Sequence, residues 1–189
     1  MGNWQRRGWI AIYLFALSSA QAFATGELIS AMVEHQDEHY LLSLDMRIKG
    51  KADAVYRVLV DYNHLHLIND SITSSKELES KGSVHRVHLV VRGCVWIFCR
   101  TVNQVQLITE LSGGYIMFVT EPTKTDLRYG RGLWQVIDEG STTRIKYNAD
   151  FVPAFWVPPI LGPVFFKRTL LKEGEKTING IEHLLNQRK

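Results

Sequence analysis

The chain has 189 residues, 22 Lys and Arg against 19 Asp and Glu, a formal net charge of +3, and two cysteines. Taking away residues 1–24 removes Arg6 and Arg7 and no acidic residue, which leaves +1. No long Lys/Arg stripe remains to support a nucleic-acid partner, and the remaining length of about 165 residues fits one domain with a substantial core.

Residues 1–24 read as a secretory signal peptide. Arg6 and Arg7 give a basic start, Gly8 to Leu17 is uncharged and apolar, and Ala22-Phe23-Ala24 resembles an A-x-A cleavage site. The run is short for a membrane span, which needs ~20 apolar residues; an uncleaved anchor is the alternative. The Arg6-Arg7 pair raises a twin-arginine signal, but its flanks fit one poorly. The expectation is a secreted protein of the bacterial periplasm. Residues 25–39 then form a polar leader, loosely ordered or weakly helical, and residues 40–189 the folded domain. Within the leader, "HQDEH" (His35 to His39) matches the H-x-x-E-H zinc-protease pattern. It runs straight into a strand and lacks a long helix to present it, so a solvated leader explains it better and no metal site is expected.

From Tyr40 to Lys49, Leu42, Leu44, Met46 and Ile48 alternate, the pattern of a half-buried strand. A short helix follows from about Ala54 to Val60, with Asp53 as a candidate cap. A second turn or helix runs from His64 to Ile68. Beyond Ile72 the chain reads as consecutive antiparallel strands: Ile72 to Glu79, Ser83 to Arg92, Arg100 to Ile108, Tyr115 to Thr120, Leu127 to Ile137 and Thr142 to Phe151. Val152 to Pro163 is a proline-rich apolar connection. Val164 to Gln187 has a helical stripe of Phe166, Leu170, Ile178, Ile181 and Leu185. The fold class is therefore α+β: a curved antiparallel sheet of about six to seven strands wrapped around a long C-terminal helix, with two short helices after the first strand. A sheet gripping one helix leaves room between them for a ligand cavity.

The stretches "ADAVYRVLVDYNHLHLIND" and "GRGLWQVIDEGSTTRIKYNADF", together with the terminal helix, resemble the START-like (SRPBCC) superfamily. The nearest types are the polyketide cyclase/dehydrase members and the coenzyme Q-binding START-like proteins. The resemblance covers roughly Leu41 to Leu185. It implies the helix-grip fold and a cavity. Members bind lipids, sterols, quinones, polyketides or hormones, and some catalyse cyclisation. It also implies that Trp134 and Tyr147 turn inward.

With Trp134 inward, alternation carries Arg128, Gly130, Gly132 and Val136 to the same side, while Tyr147 shares its side with Ala149 and Phe151. The two glycines remove side-chain bulk, which leaves space for a ligand or for the helix. Val87, Leu89 and Val91 on an earlier strand, and Phe166 and Leu170 on the helix, complete the expected ligand-binding set. Ordinary core packing is the plainer reading of each. A buried Arg128 would need a partner, either a ligand head group or Asp126 or Asp150.

Cys94 and Cys99 bracket Val95, Trp96, Ile97 and Phe98. On a straight strand their Cα atoms would lie ~16 Å apart, whereas a disulfide needs less than ~7 Å. If the two thiols pair, as export favours, the chain must turn between them and place Trp96 and Ile97 at a hairpin tip. Free thiols or a redox pair are the alternatives. This tip, with Phe155 and Trp156, forms a candidate apolar rim for docking on a membrane surface; burial of the tip by its neighbours is the equal alternative.

No serine or cysteine has a nucleophile's neighbours, so no catalytic residue is assigned and no cofactor is expected. His85 and His88 point to opposite faces of their strand. His64 and His66 read as surface-loop residues, and Asn69-Asp70-Ser71 is a glycosylation sequon. The expected function is a monomeric carrier of one hydrophobic small molecule. Two alternatives stand beside it: a cyclase or dehydratase, with His85, Arg128 and Asp150 as its candidate acid or base, and an envelope interaction module without a ligand.

Overall fold

The structure is a computed structural model that describes residues 26–95, 98–157 and 163–187. Residues 1–25, which include the expected signal peptide, Trp96, Ile97, residues 158–162 and residues 188–189 lie outside the described residues. Eight strands form one antiparallel sheet: β1 (Glu27–Gln36), β2 (His39–Lys49), β3 (Ile72–Lys81), β4 (Val84–Val95), β5 (Phe98–Leu111), β6 (Tyr115–Thr120), β7 (Leu127–Asp138) and β8 (Thr142–Pro153). Their order is β1-β2-β8-β7-β6-β5-β4-β3. Helix α1 (Ala52–Leu59) and a 3-10 turn (Leu65–Leu67) follow β2, and the long helix α2 (Pro163–Gln187) closes the concave face.

The sheet has eight strands where about six to seven were expected, because the presumed leader is itself a strand. β1 pairs with β2 from Glu27↔Arg47 to Gln36↔His39, around a turn in which Asp37 takes φ 55°. A register shift between Leu28 and Ser30 moves the inward set from Leu28 to Ala31 and Val33, which breaks the alternation that would have revealed a strand. The same hairpin spreads "HQDEH" over two strands and a turn. His35 stacks on Tyr40, and His39 Nδ1 lies 2.7 Å from Asp150 Oδ1. No cluster of metal ligands occurs among the described residues.

The short helices fall where the sequence puts them. Lys51, not Asp53, occupies the N-cap of α1, with Asp53 inside the first turn. There its carboxylate still opposes the positive end of the helix dipole.

The core lies where α1 and the C-terminal half of α2 meet the sheet. Met46, Ile48, Val55, Ile145 and Ile181 are fully or almost fully buried there. Polar contacts pin this half of α2. Glu182 Oε1 accepts the backbone N–H groups of Gly26 and Lys49, each at 2.8 Å. Asn69 Nδ2 donates to Glu173 O and Thr177 Oγ1, while Asn69 Oδ1 accepts the Ser71 N–H. The sequon asparagine is thus a buried brace between the 3-10 turn and α2, with no free amide to carry a glycan.

One glycine allows the closest approach. A Cβ on Gly180 would overlap the backbone carbonyl of Ile68. In a helix interior Gly→Ala normally stabilises by ~1 kcal/mol. Here the opposite sign is expected: Gly180→Ala forces α2 off the 3-10 turn and costs about 2 kcal/mol net, in the range of core overpacking. Denaturant midpoints of the two proteins check this, and equal or higher stability of the alanine variant would contradict the packing described.

Candidate functional site: an apolar cavity under the N-terminal half of α2

Towards its N-terminus α2 stands clear of the sheet. Phe166 packs on Tyr40 at 4.8 Å between ring centroids, and Tyr40 on Phe151 at 5.6 Å. On the other flank Thr169 Oγ1 donates to Cys94 O at 3.3 Å. Between these two supports lies a cavity of about 680 Å³. That is within the size range of small-molecule sites.

The closed end is aromatic and aliphatic. Trp134 and Tyr147 lie 4.3 Å apart, Phe118 is stacked 6.3 Å from Tyr147, and Ile116 and Tyr62 complete the wall. Tyr147 has no hydrogen-bond partner among the described residues, and burial pushes its phenol pKa up. The floor is crossed by β5 and β6, which bring in Gln104, Gln106 and Thr120. The open end is bounded by Gly93, Cys99, Arg100, Pro153, Phe155 and Trp156. The Arg100 guanidinium sits 4.4 Å from the Phe155 ring centroid, and Trp156 is 76% exposed.

Most of the expected ligand-binding set is brought together here. Leu89, Val91, Trp134, Tyr147, Phe151 and Phe166 line the cavity. Val87, Val136 and Leu170 are buried in the adjoining core rather than in the cavity wall. Arg128 is a correction. A register shift between Leu127 and Tyr129 changes the parity of β7, so that Leu127 and Gly130 face inward. Arg128 is turned out, where it bonds Pro153 O and the Glu38 carboxylate. The space beside the two glycines is also partly used. A Cβ on Gly132 would overlap the Phe118 ring, and one on Gly130 would press on Thr120.

Cys94 and Cys99 are disulfide-bonded across the β4–β5 hairpin, with Cα atoms 4.0 Å apart. Val95 and Phe98 end the two strands; of the proposed rim, Trp96 and Ile97 lie outside the described residues, and only Phe155 and Trp156 are placed with their side chains, at the mouth.

The other candidate chemistry is engaged. Behind the closed end, His85 Nδ1 lies 2.6 Å from Glu77 Oε1 and His85 Nε2 lies 3.1 Å from Glu110 Oε1. Tyr56 and Tyr62 both donate their hydroxyls to Glu110, at 3.0 and 3.1 Å. Burial, reinforced by that carboxylate, pushes the Tyr56 phenol up to about 12 and raises Tyr62 as well. Asp150 binds His39 and lies 3.6 Å from Arg131. His64 is exposed beside Asp61, and His66 is bonded to Ser75. Sequence reasoning missed Tyr62, Gln104, Gln106 and Thr120. The alternation Val102, Gln104, Gln106, Ile108 was a signal for the two glutamines, but the equally apolar Val105 and Leu107 on the opposite face hid it.

Residues 48–172 match the family described as polyketide cyclase / dehydrase and lipid transport, and the chain belongs to that family. Among solved structures it is similar to the ZhuI aromatase/cyclase from Streptomyces sp. R1128, at 16% identity and TM-score 0.62, over 79% of this chain and 95% of that one. A START superfamily protein from Mycobacterium smegmatis aligns at 13% identity and TM-score 0.62, over 79% and 99%. A STAR-related lipid transfer protein (fragment 25–204) from Xanthomonas axonopodis aligns at 15% identity and TM-score 0.54, over 87% and 100%. These likenesses establish the START-like helix-grip fold. No curated protein matches the chain.

The Glu110 cluster is expected to act as a structural clasp for the closed end. Tyr62→Phe removes one hydrogen bond and is expected to cost about 1 kcal/mol. Glu110→Leu leaves Tyr56, Tyr62 and His85 without their shared acceptor and is expected to cost at least about 2 kcal/mol. Chemical denaturation of the two variants tests the order, which a catalytic but non-structural carboxylate would not produce.

Proposed function

We propose that this chain is an exported carrier, acting as a monomer in the bacterial periplasm, that holds one hydrophobic or amphipathic small molecule between sheet and α2. The observation that carries the reading is the 680 Å³ apolar cavity with its mouth beside an exposed tryptophan. Its interior favours binding over acid–base catalysis. Of the ionisable wall residues, Tyr62 and Tyr147 are pushed away from proton transfer at neutral pH, Asp150 binds His39 and lies 3.6 Å from Arg131, and Arg100 lies over the Phe155 ring. The export signal read from residues 1–24 and the Cys94–Cys99 bond are consistent with an oxidising compartment.

Loading and release would take place at a membrane. Trp156 and Phe155 supply the apolar contact. Exposed Arg92, Arg100, Lys167 and Arg168 surround the same end of the molecule and suit an anionic lipid surface.

The full chain, expressed with its leader, is expected to be recovered from the periplasm beginning at Thr25 and carrying a copurified apolar molecule detectable by mass spectrometry of solvent extracts. Protein that is empty and takes up no lipid or quinone would overturn the carrier reading.

Trp156→Ala is expected to weaken flotation with vesicles of mixed zwitterionic and anionic phospholipid several-fold. Binding of a soluble ligand should weaken much less than flotation, since Trp156 only bounds the mouth, and added salt should weaken the vesicle interaction further. Equal flotation of variant and wild type would remove the mouth from the docking step.

A further inference from the structure

The floor of the cavity carries a half-satisfied amide pair. Gln104 and Gln106 lie two residues apart on β5 and both face inward. Gln106 is only 7% exposed. Its Nε2 donates to Gln104 Oε1 at 2.9 Å. A glutamine amide offers two N–H donors and one carbonyl acceptor with two lone pairs. After the mutual bond, the pair still presents the Gln104 NH2 and the Gln106 carbonyl, neither with a protein partner among the described residues. Exchanging O and N in both amides leaves the same remainder, one NH2 and one C=O side by side.

These atoms are not sealed in protein, since no buried side-chain N or O among the described residues lacks a partner. The surface they retain faces the cavity that both residues line. Neighbouring Thr120, 4% exposed, already spends its hydroxyl proton on Gly130 O at 3.2 Å. The amide pair is therefore the unspent hydrogen-bonding capacity of the floor. On stability grounds it is poorly placed, because an apolar pair of the same shape in such a wall is close to neutral or stabilising.

We infer that Gln104 and Gln106 read the polar end of the ligand, and that this end is uncharged and offers a hydrogen-bond acceptor next to a donor, as an amide or a hydroxyl beside a carbonyl does. The inference rests on the carrier reading and specifies its ligand class. An ionised carboxylate or phosphate is disfavoured at this depth. The charged residues of the wall are engaged elsewhere: Arg131 lies 3.6 Å from Asp150, Asp150 also binds His39, and Arg100 sits over the Phe155 ring, so that among the described residues no cation bonds either glutamine to offset the cost of burying an anion. The hydrocarbon of the ligand then fills the aromatic closed end or extends to the mouth.

Displacement of Nile red, a neutral fluorescent probe, from the purified full chain tests this with three competitors built on one long alkyl chain: the primary amide, the parent alkane and the carboxylate at neutral pH. The amide is expected to compete about tenfold better than the alkane, the margin of one good hydrogen bond in a dry site, and better than the carboxylate. In Gln104→Met/Gln106→Met the amide advantage should vanish while alkane competition and melting temperature are kept. Equal competition by amide and alkane in the wild type would overturn the inference, as would an amide advantage that survives in the double variant. The wild-type comparison decides even if the double variant fails to fold. Absence of any Nile red or alkane binding would instead remove the carrier reading on which the inference stands, so the two failures are distinguishable.

Discussion

The architecture depends on an unequal grip. α2 is one continuous helix, held closely towards its C-terminus and through bulky spacers towards its N-terminus. At the C-terminal half Gly180 lets the helix backbone meet the Ile68 carbonyl, Asn69 braces Glu173 and Thr177, and Glu182 captures two sheet N–H groups. At the N-terminal half bulky Phe166 rests on Tyr40, and Thr169 touches the cystine hairpin. A rigid rod with a close contact at one end and large spacers at the other must leave a wedge. The cavity is that wedge, lined by whatever the strands turn inward.

Polar groups are graded along the wedge in a way that suits an amphipathic occupant. Behind the closed end Glu110 is saturated by two phenols and an imidazole. It fixes Tyr62 without lending charge to the interior. Midway, Gln104 and Gln106 are half satisfied. At the mouth, Arg100 lies over Phe155 beside exposed Trp156. On the proposed carrier reading, a neutral ligand would meet largely apolar walls, the Tyr147 hydroxyl and the glutamine pair, while a membrane would meet aromatic and cationic side chains. Such a division would make binding and docking separable by mutation.

Legibility of the sequence followed the periodicity of each element. β2, α1, β4 to β6, β8 and α2 emerge within a few residues of their sequence positions. β1, β3 and β7 contain register shifts; β3 was still legible as a strand, but the shifts in β1 and β7 each produced an error of a different kind. In β1 the shift concealed a whole strand. In β7 the strand was found, but every residue N-terminal to the shift changed face, which moved Arg128 outward and Leu127 inward. On β5 both faces are partly apolar, so the inward glutamines could not be told from outward ones by pattern.

The sequence by itself determined the fold class and the order of most elements, because periods of two and of 3.6 are local properties of the chain; the resemblance to the START-like superfamily supplied the inward turn of Trp134 and Tyr147, and the cysteine hairpin stayed conditional on the two thiols pairing. Only the tertiary structure decided how far α2 stands from the sheet, which buried amides keep free hydrogen-bonding capacity, and that His85 and Asp150 are already engaged. Those features arise from distances between elements far apart in the chain, and no local pattern encodes a distance that depends on how two separate surfaces stack.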